Sequence, residues 1–160
     1  MSSSPTVRPA GPQDAEAFAA CHLACWKEAY ADLWGADRFD GIDPERMARQ
    51  RRKEITSGAA RHYLAELDGE VIGIAIAGPN RDEGPAAEQE LYAIYVRSAE
   101  QGSGVAGTLL AAALGDEPAS LWVYRDNPRA SAFYVHNGFI PDGGERTDSV
   151  GILEIRMVRR

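Results

Sequence analysis

The segment EQGSGVAGTLL, residues 100–110, puts glycines at 102, 104 and 107 between the strand-like run Glu90–Val96 and an alanine- and leucine-rich stretch. A second apolar run, Leu121-Trp-Val-Tyr124, follows that stretch. Strand, glycine turn, helix and strand in this order form a crossover, and a crossover requires the two strands to be parallel. Upstream, His62–Leu67 and Val71–Ala77 flank Asp68-Gly69, the two-residue turn that suits the twist of an antiparallel hairpin. A chain with both signals folds around a mixed sheet, mostly antiparallel, with helices on both faces. Its class is α+β.

Other elements follow from spacing and caps. Thr6–Arg8 is a short strand. After Pro12, the residues Ala15, Phe18, Ala19, His22, Leu23, Trp26 and Tyr30 recur at helical intervals. Asp32–Asp43 reads as a loop. Asp43-Pro44 and Asn127-Pro128 each pair an N-cap with a first-turn proline, starting helices that run to about Gly58 and about Asn137. Gly78–Ala87 is a polar loop, and Phe139 onward and Ile152–Val158 are the last strands. The expected order is β-α-α-β-β-β-α-β-α-β-β.

At 160 residues and 44% hydrophobic content, the chain suits one domain with a sizeable core, taken here as residues 1–160. A formal net charge of -7 argues against nucleic acid or an anionic membrane as partner. No apolar run approaches the roughly 18 residues of a membrane helix, and the N-terminal residues lack an apolar signal core. A cytoplasmic location is expected. Cys21 and Cys25, with His22 nearby, have no second Cys/His pair to complete a metal site; buried thiols are expected and no metal.

Glycines at this density let backbone N–H groups crowd round an anion, typically a phosphate. A P-loop is excluded because Thr108, not lysine, follows Gly107. Gly102, Gly104 and Gly107 formally fit a dinucleotide fingerprint, with Asp126 in the place of the ribose-binding acid. However, Arg97–Gln101 separates strand from glycine, and too little chain follows to complete a doubly wound sheet. The third reading takes Gln101-x-x-Gly104-x-Ala106 together with Asn127-x-x-Ala130-x-x-Phe133-Tyr134-x-x-x-Gly138-Phe139. This pair of motifs, one strand apart, resembles the GNAT superfamily of acetyl-CoA-dependent N-acetyltransferases. Val7-Arg8-Pro9-Ala10 and the helix after it extend the resemblance over nearly the whole chain. Gln101 stands where arginine is commoner and Ala106 where glycine is commoner.

The resemblance implies a function: transfer of acetyl from acetyl-CoA to a primary amine, by direct attack in a ternary complex. Coenzyme A would be held by Gln101, Gly102, Ser103, Gly104, Val105, Ala106, Gly107 and Thr108, and by the edge of Ile94, Tyr95 and Val96. Asn127 and Arg129, and more weakly Arg97, are further candidates, although Asn127 is first a helix cap. Glu90 is the candidate general base, with Glu88 as its rival, and Tyr134 the candidate proton donor to the departing thiolate. A solvent-facing glutamate and a core tyrosine are the plain alternatives. In the family the acceptor contacts the first two helices and their loop, which makes Trp26 and Tyr30 substrate candidates, beside Trp34 and Phe39. Asp32, Asp37, Asp40 and Asp43 suggest either a cationic acceptor or merely a solvated acidic rim over a tryptophan core. The acceptor would be a small molecule or a peptide amine. Family members are often homodimers. A binding module that keeps the acyl-CoA slot without turnover is the alternative function.

Overall fold

The computed structural model describes residues 4–160. Seven strands and five α-helices follow one another: β1 (Thr6–Pro9), α1 (Ala15–Tyr30), α2 (Ala36–Asp40), α3 (Pro44–Ser57), β2 (Arg61–Leu67), β3 (Glu70–Pro79), β4 (Gln89–Val96), α4 (Val105–Leu114), β5 (Ala119–Tyr124), α5 (Pro128–His136), β6 (Ile140–Thr147) and β7 (Leu153–Arg159). The strands are ordered β1-β2-β3-β4-β5-β7-β6 in one mixed sheet. β1 pairs antiparallel with β2, β5 with β7 and β6 with β7; β4 and β5 are parallel, as the crossover demands. One helix departs from expectation: Ala36–Asp40 forms the single-turn α2 inside the region read as loop.

The local signals behave as their chemistry requires. Asp68 and Gly69 have φ of 52° and 81°, the left-handed pair that lets β2 turn directly into β3. Asp43 accepts a hydrogen bond from the Glu45 N–H, and Asn127 one from the Ala130 N–H, so both caps form.

The chain gathers into two compact units. The first contains the segment through Ile76 together with Ala93–Ala113; the second contains Ala77–Tyr92 and Leu114–Arg160. In the first, α1 packs on α3, and Phe18, Leu64, Ile74 and Leu109 are fully buried. Gly73 in β3 is needed there: a Cβ would come within 2.9 Å of Leu109 Cδ1, so glycine lets α4 lie close against the strand. In the second unit β7 lies between β5 and β6, and Phe139, Leu121 and Met157 form its interior.

The first unit also buries polar groups. Cys21 and Cys25 are free, buried thiols. His22, 5% exposed, stacks on Trp26 with ring centroids 4.2 Å apart. Its Nδ1, Arg51 Nε and His62 Nε2 have no hydrogen-bond partner among the described residues. Burial, aided by the charge of Arg51, pushes the His22 imidazole from 6.5 down to about 3. Below pH 6.5 the unfolded chain therefore takes up a proton that folded His22 refuses, until the pH nears 3. Stability attributable to His22 should fall across that window by up to about 1.4 kcal/mol per pH unit. Urea titrations at pH 7 and pH 5 should show a smaller loss for His22→Phe than for the parent protein. An identical loss would remove His22 as the cause.

Candidate functional site

In the first unit, the backbone after β4 is built to leave donors open. The Arg97 N–H closes onto Ile72 O at 2.9 Å, and Ser98–Glu100 make one 3-10 turn. The Gln101 N–H then reaches Ser98 O, and the Ser103 N–H reaches Glu100 O. Gly102 and Gly104 have φ of 85° and 88°, a backbone that side chains resist. Ser103 Oγ donates to Glu100 O at 2.6 Å and accepts the Val105 N–H at 3.4 Å. Thr108 folds back through both its N–H and its hydroxyl onto Gly104 O. After these bonds, the N–H groups of Gly102, Gly104, Ala106 and Gly107 have no acceptor among the described residues. Buried Val105, Leu109 and Leu110 anchor α4 so that this end faces outward.

A Cβ at Gly102, Gly104 or Gly107 would meet nothing within 4 Å. Close packing inside the protein, the plain explanation of such glycines, therefore does not account for them. Backbone conformation explains 102 and 104. Neither reason applies to Gly107, which lies within α4 and costs about 1 kcal/mol of helix stability relative to alanine. Open N–H groups at a helix start, with no side chain in front of them, form an anion cup. The residues present fit a diphosphate.

Ile94, Tyr95 and Val96 are half-buried at the end of β4. The β4–β5 ladder consists of Gln89 opposite Ala119 and Glu90 opposite Ser120, at the start of both strands. Gln101 is exposed. Arg97, the weaker phosphate candidate, is engaged elsewhere: its Nε donates to Glu28 at 2.9 Å, and Glu28 also takes the N–H and hydroxyl of Ser98.

The expected acceptor residues meet in the same unit. Trp34 lies 5.4 Å from Trp26, 4.9 Å from Tyr30 and 5.4 Å from Phe39, measured between ring centroids. Tyr30 and Tyr95 hydrogen-bond through their hydroxyls at 2.8 Å, tying α1 to β4. Tyr30 and Trp34 are each 7% exposed, so they form an interior cluster, with Trp26 half-buried beside it. Asp32, Asp37, Asp40 and Asp43 are exposed, and the Arg38 guanidinium covers Trp34 at 3.8 Å. The four carboxylates stand at the surface beside a largely buried aromatic cluster, an arrangement both acidic readings allow. A face already covered by a cation is not a vacant cation box.

The second unit carries the acid–base candidates. Glu90 does not face solvent as a strand-end glutamate would: it is 2% exposed. Its Oε1 accepts from the Arg81 backbone N–H at 3.0 Å and Nε at 3.2 Å, and its Oε2 from Arg81 Nη2 at 2.8 Å. Glu88 is exposed. Tyr134, rather than Phe133, is the buried aromatic of α5. It meets Phe133 and Phe139 edge-on, at 5.6 and 6.0 Å. Arg129 is exposed. Asn80, Arg81 and Ser120, which surround Glu90, carry no spacing signal in the sequence, because their partners are 9 to 40 residues away.

Known proteins resemble this chain in sequence and in fold. The profile of the Acetyltransferase (GNAT) family matches residues 24–139. A Mycobacterium tuberculosis protein named as a probable N-acetyltransferase is 28% identical over 142 residues, covering 86% of this chain and 80% of its own. A mycothiol acetyltransferase of Nocardia farcinica is 39% identical over 109 residues, covering 66% of this chain but only 34% of its own. Among solved structures, the PaiA N-acetyltransferase of Thermoplasma acidophilum in complex with coenzyme A superposes with a TM-score of 0.75 at 19% identity, covering 98% of this chain and 99% of its own. An acetyltransferase of Thermus thermophilus superposes at 0.69 with 23% identity, covering 98% and 96%. The fold is shared with these structures.

Proposed function

The chain belongs to the Acetyltransferase (GNAT) family, and from that premise we propose that it transfers the acetyl group of acetyl-CoA to a primary amine. One observation carries this reading: three glycines at the start of α4 face open space while the N–H groups around them lack protein acceptors. Neutral amides can hold a diphosphate without basic side chains, which reconciles an anionic co-substrate with a chain of net charge -7. Gly102, Gly104, Ala106 and Gly107 would supply the N–H groups, and Gln101, Ser103, Val105 and Thr108 would shape the loop. The backbone of Ile94, Tyr95 and Val96 would pair with the pantetheine arm as an added strand does. Asn127 and Arg129 are secondary contacts in this reading.

The reaction needs two proton movements. The amine nitrogen must lose a proton as its lone pair forms the C–N bond, and the sulfur must gain one as the C–S bond breaks. Glu90 takes the first through water in this proposal, and the Tyr134 hydroxyl gives the second. A backbone N–H of β4 would stabilise charge growing on the thioester oxygen. Trp26 and Tyr30 would border the acceptor. A small-molecule acceptor is supported by the relatives named mycothiol acetyltransferases.

Calorimetry with coenzyme A, followed by a panel of small amines and peptides scored by release of free thiol from acetyl-CoA, tests the proposal. Binding heat and thiol release with at least one amine are expected. Absence of heat would end the reading. Heat without transfer to any amine would leave an acyl-CoA-binding module in its place.

A further inference from the structure

Two consecutive residues of the loop between β3 and β4 grip both members of the last β4–β5 rung. Asn80 Nδ2 donates to Ser120 Oγ at 2.7 Å, and Arg81 makes its three bonds to Glu90, the residue opposite Ser120. Both gripped residues are buried, Ser120 at 0% and Glu90 at 2%. The grip is itself fixed. The Asn80 N–H donates to Glu88 O, and Asn80 Oδ1 accepts the Asp82 N–H, each at 2.9 Å. Trp122 Nε1 bonds to both oxygens of Asp82, and Arg156 reaches Gly84 O. The Arg81 guanidinium lies over the Tyr92 ring at 3.7 Å.

The hydrogen-bond inventory of Glu90 is then restrictive. Each carboxylate oxygen has two lone pairs. Both on Oε1 are used, and one on Oε2 remains. We propose that Asn80-Arg81 is a positioning clip that orients Glu90 so that Oε2 alone is open to receive a proton relayed by water from the acceptor amine. The inference rests on the reading of Glu90 as proton acceptor. The proton leaves the amine nitrogen, crosses one water, resides on Oε2 and returns to solvent, so nothing is consumed. Arg81 Nη2 bonds to Oε2 at 2.8 Å but exchanges no proton itself; it acts by orienting Glu90.

The test uses the full-length protein, acetyl-CoA and the amine that gives the fastest thiol release in the panel. Arg81→Ala should lower kcat about tenfold or more and leave the KM for acetyl-CoA within about twofold, because the loop at α4 is untouched. Arg81→Lys, which keeps the charge but loses the fork, should recover part of kcat. Glu90→Gln should be at least as slow as Arg81→Ala, and the double variant no slower than Glu90→Gln alone. Should Arg81→Ala not fold, as judged by its melting curve, Arg81→Lys and Asn80→Ala supply the comparison. The clip is refuted if Arg81→Ala turns over at the parental rate. A double variant showing the product of the two single losses would refute it as well. Full activity of Glu90→Gln would instead refute Glu90 as base, and a missing heat with coenzyme A would refute the acetyl-transfer reading.

Discussion

Tyr134→Phe should lower kcat by about a hundredfold or more at saturating acetyl-CoA, with binding of coenzyme A within about twofold of the parent. Positioned proton donors commonly contribute 10²- to 10⁴-fold, and under the proposed mechanism no other side chain protonates the departing sulfur. The substitution is a clean one. Tyr134 is 9% exposed, and its ring is held edge-on by Phe133 and Phe139. Phenylalanine keeps those contacts and removes one oxygen. Its melting curve separates a loss of rate from unfolding. Steady-state kinetics with the best amine from the panel, read beside a melting curve, provide the check. Full turnover in the variant would mean that water protonates the thiolate and that Tyr134 is a core residue only.

Gly104→Val should cost coenzyme A about a hundredfold in affinity, measured by calorimetry. A β-branched residue resists φ of 88°, at about 1–3 kcal/mol of backbone strain. Its side chain would also stand before the open N–H groups. Strain alone could distort the loop without any ligand being involved, so a second variant separates the causes. Gly107 has ordinary helical geometry and open space before it. Gly107→Ala should therefore raise stability by about 0.5–1 kcal/mol through helix propensity. It should nonetheless weaken coenzyme A binding. Opposite signs for stability and affinity at one residue would mark a glycine retained for a ligand. If Gly107→Ala binds coenzyme A as well as the parent, the diphosphate does not approach this turn.

Much of the fold could be read from neighbours in the chain. The Asp68-Gly69 turn, the Asp43-Pro44 and Asn127-Pro128 helix starts and the crossover through the glycine loop each depend on residues within a few positions. Short-range signals name short-range structure. α2 escaped because five residues give a single turn and no periodicity. The close approach at Gly73 escaped because its reason, Leu109, lies in a distant helix. The candidate site divides in the same way. The glycine loop announced itself by composition, whereas Tyr134 became a candidate only through the resemblance of Asn127–Phe139 to the GNAT pattern. The burial of Glu90 and its grip by Arg81 did not announce themselves, since a glutamate on a strand gives no sign of which loop will fold over it. The packing around the acidic loop was not legible either: its four aspartates stand exposed, while Tyr30 and Trp34 beside them turn inward.

The main-chain character of the cup at α4 has a bearing on how this protein can change over generations. Amide hydrogens are supplied by every residue except proline, so under the proposed function the identities of exposed Gln101 and half-buried Ala106 can drift while the recognition they frame persists. What cannot drift, on that reading, is the lack of a side chain at the three glycines. Under the proposed function, selection on this turn acts on vacancy rather than on chemistry, and its signature is a set of empty positions.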